Sequence, residues 1–271
     1  MGERGDDTGL LRGFGRQLKL LREREGLSRE ELGAWVGYGR EQIASVEQGR
    51  RIPSPELIES ADEVLGAGGL LRAMKEELAQ ARYPAFFRDA ARLEARAVEI
   101  HVYACQAVPG LLQTEEYARA VFGMMRPPLP HEVIEERVVA RMERQAHISD
   151  RRPPLMSFVL DESILRRPIG GSGVLREQVE RLLQVGRRRE VEIQIMPMER
   201  QENAGLAGPF TLMETSDGKR VAYLEVQNVS QLHTKRESVR GLEAKYGILR
   251  AQALNPRESL TFMEKALEGE P

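Results

Sequence analysis

Apolar residues recur at helical spacing through the first quarter of the chain. Three segments, FGRQLKLLREREG, SREELGAWV and REQIASVEQ, each carry them on one stripe and polar residues elsewhere. The pattern predicts three short helices packed around a shared core. The predicted core positions are Phe14, Leu18, Leu21, Leu32, Val36, Ile43 and Val46.

The second and third of these segments have the end signals of two helices joined by a tight turn. Ser28 is a good N-cap, and Glu31 follows it at the spacing of a capping box. Gly33 falls where two helices must cross closely, and Gly37 falls at the turn, where glycine tolerates a positive φ. The sequence therefore predicts a helix-turn-helix whose second helix runs from about residue 40 to residue 48.

The second helix of this unit leaves a polar surface outside the predicted core. Because Ile43 and Val46 face inward, the outward positions near the helix N-terminus carry hydrogen-bonding side chains. In helix-turn-helix proteins this is the end that enters the major groove of DNA. The outward positions are Arg40, Glu41, Gln42 and Ser45.

The N-terminal segment resembles the DNA-binding domains of the Xre and phage-repressor family. The similarity covers about residues 10–66 and rests on LREREGLSREELG, then VGYG, then REQIASVEQGRRIPS. The resemblance implies that Arg40, Glu41 and Ser45 contact base edges. It also implies that Arg29, Gln42 and Arg50 contact phosphates.

The charge of this segment is unusual for a DNA-binding domain. Residues 1–66 hold ten Lys and Arg against thirteen Asp and Glu, a net charge of −3, whereas such domains usually carry a basic face. If the segment binds DNA, its positive groups must collect on one side, which adds Arg16 and Arg51 to the expected phosphate contacts. The alternative is a helix-turn-helix that binds only protein.

The rest of the chain alternates strand and helix patterns. Val98, Ile100 and Val102 alternate with polar residues as in a strand, and two apolar runs flank a turn at Asp217 and Gly218, which predicts a hairpin. We therefore expect an N-terminal all-α, phage-repressor-like helix-turn-helix domain followed by an α+β domain with a small mixed sheet. The expected divisions are a disordered N-terminus at 1–9, the helix-turn-helix at 10–66, a linking helix at 67–83 and the α+β domain at 84–271.

One long helix of this second domain carries a row of arginines. The segment HEVIEERVVARMERQAHI is predicted to turn Val133, Val138 and Met142 inward. A one-sided row of charge on a helix is most often its solvated face. We therefore expect Arg137, Arg141 and Arg144 to lie in solvent.

The second domain also resembles a known group of proteins. The strings VPGLLQTEEYARA, ERVVARMERQ, LDESILRRPIGG, REQVERLL, GPFTL and AYLE, over about residues 84–268, are similar to the domain that follows the helix-turn-helix in actinobacterial Scr1-type, antitoxin-like regulators. The resemblance implies a gene-regulatory role, often with a small companion protein encoded nearby. It implies no ligand and no catalytic residue.

Few residues outside the helix-turn-helix segment are candidates for catalysis or ligand binding. Cys105 is the single cysteine, and the four histidines have no ligand spacing. Asp161 and Glu162 are expected to cap a helix, and the GGSG string lacks the lysine of a phosphate-binding loop. Residues 203–210, NAGLAGPF, could form a pocket rim or an ordinary loop. We expect no catalytic residue, no metal and no cofactor.

Three functions are compatible with these patterns, and the first is favoured over the other two. The first is a dimeric transcriptional regulator that binds a palindromic operator in double-stranded DNA and receives a signal from a companion protein or a small-molecule effector. The second is an antitoxin-like protein that neutralises a partner and autoregulates its operon. The third is an enzyme with a DNA-targeting module. Because the chain has no signal peptide and no apolar run of membrane-spanning length, we expect a cytoplasmic, nucleoid-associated protein without membrane contact.

Overall fold

The computed structural model describes residues 4–81, 88–149, 153–227 and 229–269. The chain divides into two compact units, Met1–Arg88 and Asp89–Pro271. Among the described residues, no helix is both long enough and apolar enough to cross a lipid bilayer.

The N-terminal unit is helical, as the apolar periodicity predicts. Its core contains every apolar position named above from Phe14 to Val46, with Leu21 at its edge. The first helix begins at Arg4, ahead of residue 10, where the domain was expected to begin. The helices are α1 (Arg4–Arg24), α2 (Arg29–Val36), α3 (Arg40–Glu47), α4 (Pro55–Val64) and α5 (Lys75–Ala81), with a 3-10 turn at Arg72–Met74.

The helix-turn-helix signals are confirmed by the local geometry of α2. Ser28 and Glu31 form the reciprocal capping box, and Gly37 ends the helix with a φ of 78°. Gly33 is buried, and a Cβ added to it would collide with the carbonyl oxygen of Tyr38. Glycine is therefore required at this close approach, because a backbone carbonyl cannot move aside as a flexible side chain can.

The segment expected to link the two domains contributes to the N-terminal core. Leu71 and Leu78 are both fully buried among the residues of α1 to α4. The turn before them is held by Asp62, whose carboxylate accepts hydrogen bonds from three backbone N–H groups. The remaining residues of that segment, 82 and 83, lie outside the described residues.

The C-terminal unit is built on a six-stranded mixed sheet, which confirms the predicted α+β class. The strand order is β3-β2-β1-β4-β5-β6; the first three strands pair in parallel and the others in antiparallel. The hairpin predicted at Asp217 and Gly218 joins β4 to β5, whereas β6 was not predicted. The strands are β1 (Ala97–Ala104), β2 (Leu155–Asp161), β3 (Val191–Met196), β4 (Phe210–Thr215), β5 (Arg220–Val226) and β6 (Val229–His233).

Helices surround this sheet and complete its core. On one helix, Tyr246 and Leu249 are buried against the sheet and Leu242 packs beside them, so this apolar stripe faces the protein's own core. The helices are α6 (Arg88–Glu94), α7 (Glu115–Gly123), α8 (His131–Ser149), α9 (Ser163–Arg166), α10 (Ser172–Gly186), α11 (Arg236–Gln252) and α12 (Pro256–Glu268).

Candidate nucleic-acid interface

The third helix presents the polar surface that the sequence predicts. Arg40 and Glu41 are exposed, and Gln42 and Ser45 are half-buried. The opposite side of α3 is fixed to the core, where Ile43 has no solvent exposure. The side chains predicted to contact bases therefore lie outside the core.

The start of α3 is capped in an unusual way. Gly39 stands at the N-cap position and has no side chain to accept a hydrogen bond, but its own N–H donates to Oε1 of Gln42 at 3.0 Å. This bond satisfies one backbone donor at the helix end. It also fixes the side chain of Gln42, whose amide NH₂ group donates no hydrogen bond within the described residues.

Several arginines of the N-terminal unit are not paired with a carboxylate of the described residues. Within the described residues, Arg16, Arg40, Arg50 and Arg51 are exposed and take part in no ion pair, whereas Arg24 is paired with Glu25. An unpaired guanidinium can bind a phosphate without first losing a carboxylate partner. The predicted DNA contacts thus include free positive charge despite the net charge of −3 over residues 1–66.

Arg12 is a further candidate contact that the sequence did not single out. Gly49 follows α3 with a φ of 66°, and a Cβ added there would lie 2.8 Å from the backbone nitrogen of Arg12. This close approach brings the exposed Arg12 on α1 next to the start of the Arg50–Arg51 segment. No local sequence signal marks Arg12, because its position depends on how α1 crosses the end of α3.

A buried ion-pair cluster holds α3 to the two preceding helices. The Glu47 side chain is 1% exposed, and its carboxylate accepts from Nε of Arg22 at 2.6 Å and from Nε of Arg29 at 2.7 Å. Arg22 also donates to the backbone carbonyl of Leu27. The structure therefore engages Arg29, a predicted phosphate contact, in positioning the recognition helix.

The arginine row of α8 is not a solvated face, so that prediction was wrong. Arg144 is only 9% exposed and lies 3.4 Å from Glu94, and Arg137 and Arg141 are half-buried. The exposed face of this helix instead includes Val139. The physical reason is that a guanidinium group is attracted to the face of an aromatic ring, here the Phe122 ring of α7 for Arg137 and Arg141.

The other polar groups of the C-terminal unit have structural contacts. Asp161 accepts from the backbone N–H and the hydroxyl of Ser163, as expected for a cap. Glu162 accepts from the N–H of Met198. Burial, together with the charge of Asp161, raises the pKa of Cys105, which favours the thiol over the reactive thiolate.

The loop NAGLAGPF packs closely on the sheet. Gly205 is buried, and any side chain there would overlap the ring of Tyr103, whereas Leu206 is 88% exposed. No group of three or more His, Cys, Asp or Glu side chains that could hold a metal ion is found in the described ranges.

Two family models match this chain. Residues 14–74 match a model described as a helix-turn-helix domain, and residues 87–265 match one described as a domain of unknown function, DUF5753. The second match spans more than half of the chain. The chain belongs to the DUF5753 family. Comparison with curated proteins and with solved structures gave no match.

The helix-turn-helix match agrees with the geometry of α2 and α3 and supports a DNA-binding regulator. It extends beyond α4 into the 3-10 turn, in line with the burial of Leu71 in the same core. The family of the C-terminal unit brings no described activity. The Xre and Scr1 relationships therefore stay predictions.

Proposed function

We propose that the protein is a sequence-specific transcriptional regulator that binds its operator as a homodimer and receives a signal through its C-terminal unit. The observation that carries the proposal is the helix-turn-helix, in which α3 is anchored by Ile43, Val46 and Glu47 while Arg40 stays exposed and unpaired among the described residues. Such a helix can enter the major groove without rearrangement.

Replacing Arg40 by alanine tests how α3 contacts bases. An arginine near the start of a recognition helix can bind guanine through two hydrogen bonds, which is worth about 1–3 kcal/mol of discrimination. We therefore expect Arg40→Ala to lose preference for the operator, whereas Arg50→Ala weakens binding to operator and unrelated DNA alike. The operator is first selected from a random DNA library, and affinities are then measured by gel shift at one fixed salt concentration.

Arg188→Ala is the matched control, because Arg188 is exposed and belongs to the C-terminal unit. It should leave both affinities unchanged. If Arg40→Ala binds the operator as tightly as the wild type, Arg40 does not contact bases. If the wild type selects no DNA sequence, the helix-turn-helix is a protein-binding module.

Dimerisation follows from the electrostatics of the N-terminal unit. With few free cations, one copy neutralises few phosphates and binds DNA weakly. Two copies can place their recognition helices about 34 Å apart, one turn of the double helix, and then bind the two halves of a palindromic operator.

The sheet offers a surface for this dimer at strand β6. Within the described residues β6 pairs only with β5, and Val229 is 68% and Leu232 37% exposed. The strand VSQLH carries no Lys, Asp, Glu or Pro, the residues that usually block pairing at a sheet edge. Two copies of this neutral strand can pair in antiparallel around Gln231, which satisfies the symmetry of a dimer.

Gln231→Lys tests this surface. At the centre of the pairing, the substitution places two lysine charges opposite each other, so we expect a monomer by light scattering at micromolar concentration where the wild type is a dimer. Gln184→Lys, on the exposed face of α10, adds the same charge away from β6 and should stay dimeric. A dimeric Gln231→Lys protein would place the interface elsewhere, and a monomeric wild type with full operator affinity would contradict dimerisation.

Two other functions would give different results. An antitoxin-like protein neutralises a partner, so deletion of its gene would release toxicity from a neighbouring gene. An enzyme with a DNA-targeting module would turn over a substrate. For a regulator we expect neither result, and we expect the protein to lie in the cytoplasm with the nucleoid.

A further inference from the structure

Two arginines of the C-terminal unit, Arg137 and Arg141, form no direct ion pair with a carboxylate of the described residues. Arg137 and Arg141 lie one turn apart on α8, and both guanidinium groups lie near the Phe122 ring of α7, with Cζ at 5.9 and 4.1 Å from the ring centre. Within the described residues neither takes part in an ion pair. Two like charges at this spacing repel each other, and the carboxylates of Glu225 and Glu94 offset that repulsion only in part at Arg141.

The two carboxylates that act on Arg141 have other contacts, since Glu225 accepts a hydrogen bond from the hydroxyl of Tyr223. Glu94 lies 3.4 Å from Nε of Arg144, and burial raises the pKa of Glu94. Nη1 of Arg141 donates to the amide oxygen of Gln113 at 2.5 Å, while its Nε is buried without a hydrogen bond. A buried donor that is left unsatisfied is costly unless a ligand accepts from it.

The backbone leaves room for these guanidinium groups. Gly110 lies in the turn before α7, and a Cβ added there would be 2.6 Å from Nη2 of Arg144 and 3.4 Å from Nε of Arg141. Gln145 holds this turn in place by donating to the carbonyl oxygens of Gly110 and Gln113 at 2.7 and 2.9 Å. The strings VPGLLQ and ERVVARMERQ, far apart in sequence, thus meet around Arg141.

The charge and solvent exposure of Arg137 and Arg141 indicate which class of ligand could bind them. Arg137 and Arg141 each keep part of their surface exposed, although the Nε of Arg141 is buried. Burial and the charge of Arg144 lower the pKa of Arg141 to about 9, which leaves the group protonated at neutral pH. Two cations with planar donor groups match a dianion with several oxygens, and arginine binds phosphate in this way.

We propose that Arg137 and Arg141 bind a phosphoryl group beside Phe122, either inorganic phosphate or the phosphate ester of a small metabolite. Arg141 supplies the buried Nε and Arg137 the second charge, while Gly110 leaves room for the Arg141 and Arg144 guanidinium groups and Gln113 orients Arg141. Binding does not depend on the proposed regulatory function. Only the idea that the bound phosphoryl group is the regulatory signal rests on the proposed function.

The test uses the full chain and thermal unfolding followed by circular dichroism. Inorganic phosphate and ribose 5-phosphate are each titrated at constant ionic strength against chloride. A ligand that binds only the folded state raises the unfolding temperature, and the rise continues with the logarithm of its concentration above the dissociation constant. We expect this rise for the wild type, and the ligand with the lower dissociation constant identifies the source of the phosphoryl group.

Arg141→Met keeps an apolar stem beside Phe122 but removes the charge. We expect at least tenfold weaker phosphoryl binding, whereas the unfolding temperature in chloride reports separately on the lost hydrogen bond to the buried Gln113. Arg240→Met, at an exposed position of α11, should behave as the wild type. A purely structural Arg141 would leave the phosphoryl response of the variant intact, which would overturn the proposal.

The remaining outcomes also test the proposed phosphoryl site. If neither ligand stabilises the wild type, the site does not bind a phosphoryl group. If Arg141→Met weakens DNA binding in the absence of any phosphate, the arginines contact DNA and the proposal fails. If phosphoryl binding is real but leaves operator affinity unchanged, the site stands and only its role in signalling is rejected.

Discussion

Glu47→Ala is expected to lower the stability of the N-terminal unit by about 3–5 kcal/mol, the usual effect of removing one partner from a buried ion pair. The variant would leave Arg22, whose side chain is 8% exposed, without the carboxylate that now lies 2.6 Å away. Arg29 can turn toward solvent, because its side chain is 34% exposed. The cost therefore comes mainly from Arg22.

This loss can be measured on the N-terminal unit alone within the full chain. Trp35, the only tryptophan, lies on α2 and is 60% exposed, so its fluorescence follows this unit during urea unfolding. With a slope of about 1–3 kcal/mol per molar urea, the midpoint should fall by roughly 2 M. Glu63→Ala, at an exposed position of α4, should change stability by no more than about 0.5 kcal/mol.

A combined variant separates charge from packing. In Arg22→Met with Glu47→Leu, both buried charges are replaced by apolar side chains, and such replacements are often neutral or stabilising. We expect this pair to recover most of the stability that Glu47→Ala loses. A Glu47→Ala midpoint equal to that of the Glu63→Ala control would show that the cluster does not stabilise the fold.

The features that could be predicted from the sequence depend on neighbours along the chain. The capping box of Ser28 and Glu31, the turn at Gly37 and the hairpin at Gly218 each follow from a few adjacent residues, because their backbone geometry is local. The apolar periodicity of α1 to α3 likewise identifies the core. The outward position of Arg40 follows directly from that periodicity.

The features that could not be predicted depend on residues far apart in sequence. Glu47 meets Arg22 across 25 positions, and nothing in either local segment indicates a buried ion pair. Strand β6 is short and polar, so it is recognised only through its pairing with β5. Arg141 was expected in solvent as part of a one-sided row of charge, but it is half-buried and its guanidinium lies on the Phe122 ring of another helix.

A second buried carboxylate of the N-terminal unit should make its stability depend on pH. Asp62 is 3% exposed and accepts from the N–H groups of Gly69, Leu71 and Arg72 at 2.9, 2.9 and 3.2 Å. Burial alone would raise the pKa of Asp62, but the three N–H donors and the Arg72 guanidinium together lower it below its usual value. Folding therefore favours the charged form.

The sign of the effect follows from this lowered pKa. In the unfolded chain the pKa of an aspartate is about 3.9. The stabilisation that the charged Asp62 gives to the fold is therefore complete above that pH. It is lost as the pH falls through the lower pKa of the folded state. Acid should thus weaken the N-terminal unit through Asp62, because protonation removes the charge that three buried N–H groups require.

Asp62→Asn removes the charge at every pH and isolates this contribution. Hydrogen bonds to a charged group are each worth about 1.5–3 kcal/mol, and the amide can accept at one oxygen only, so we expect a loss of roughly 2–4 kcal/mol at neutral pH. The measurement is urea unfolding followed by Trp35 fluorescence at pH 7 and pH 3. At pH 3, below the pKa of an unfolded aspartate, the stability difference between wild type and variant should begin to narrow, because part of the charge-dependent stabilisation is then lost. The control is Glu63→Gln, at the exposed position next to Asp62 on α4. Its stability should equal that of the wild type at either pH. A stability difference between wild type and Asp62→Asn of equal size at both pH values would mean that the shape of the Asp62 side chain, and not its charge, stabilises the unit.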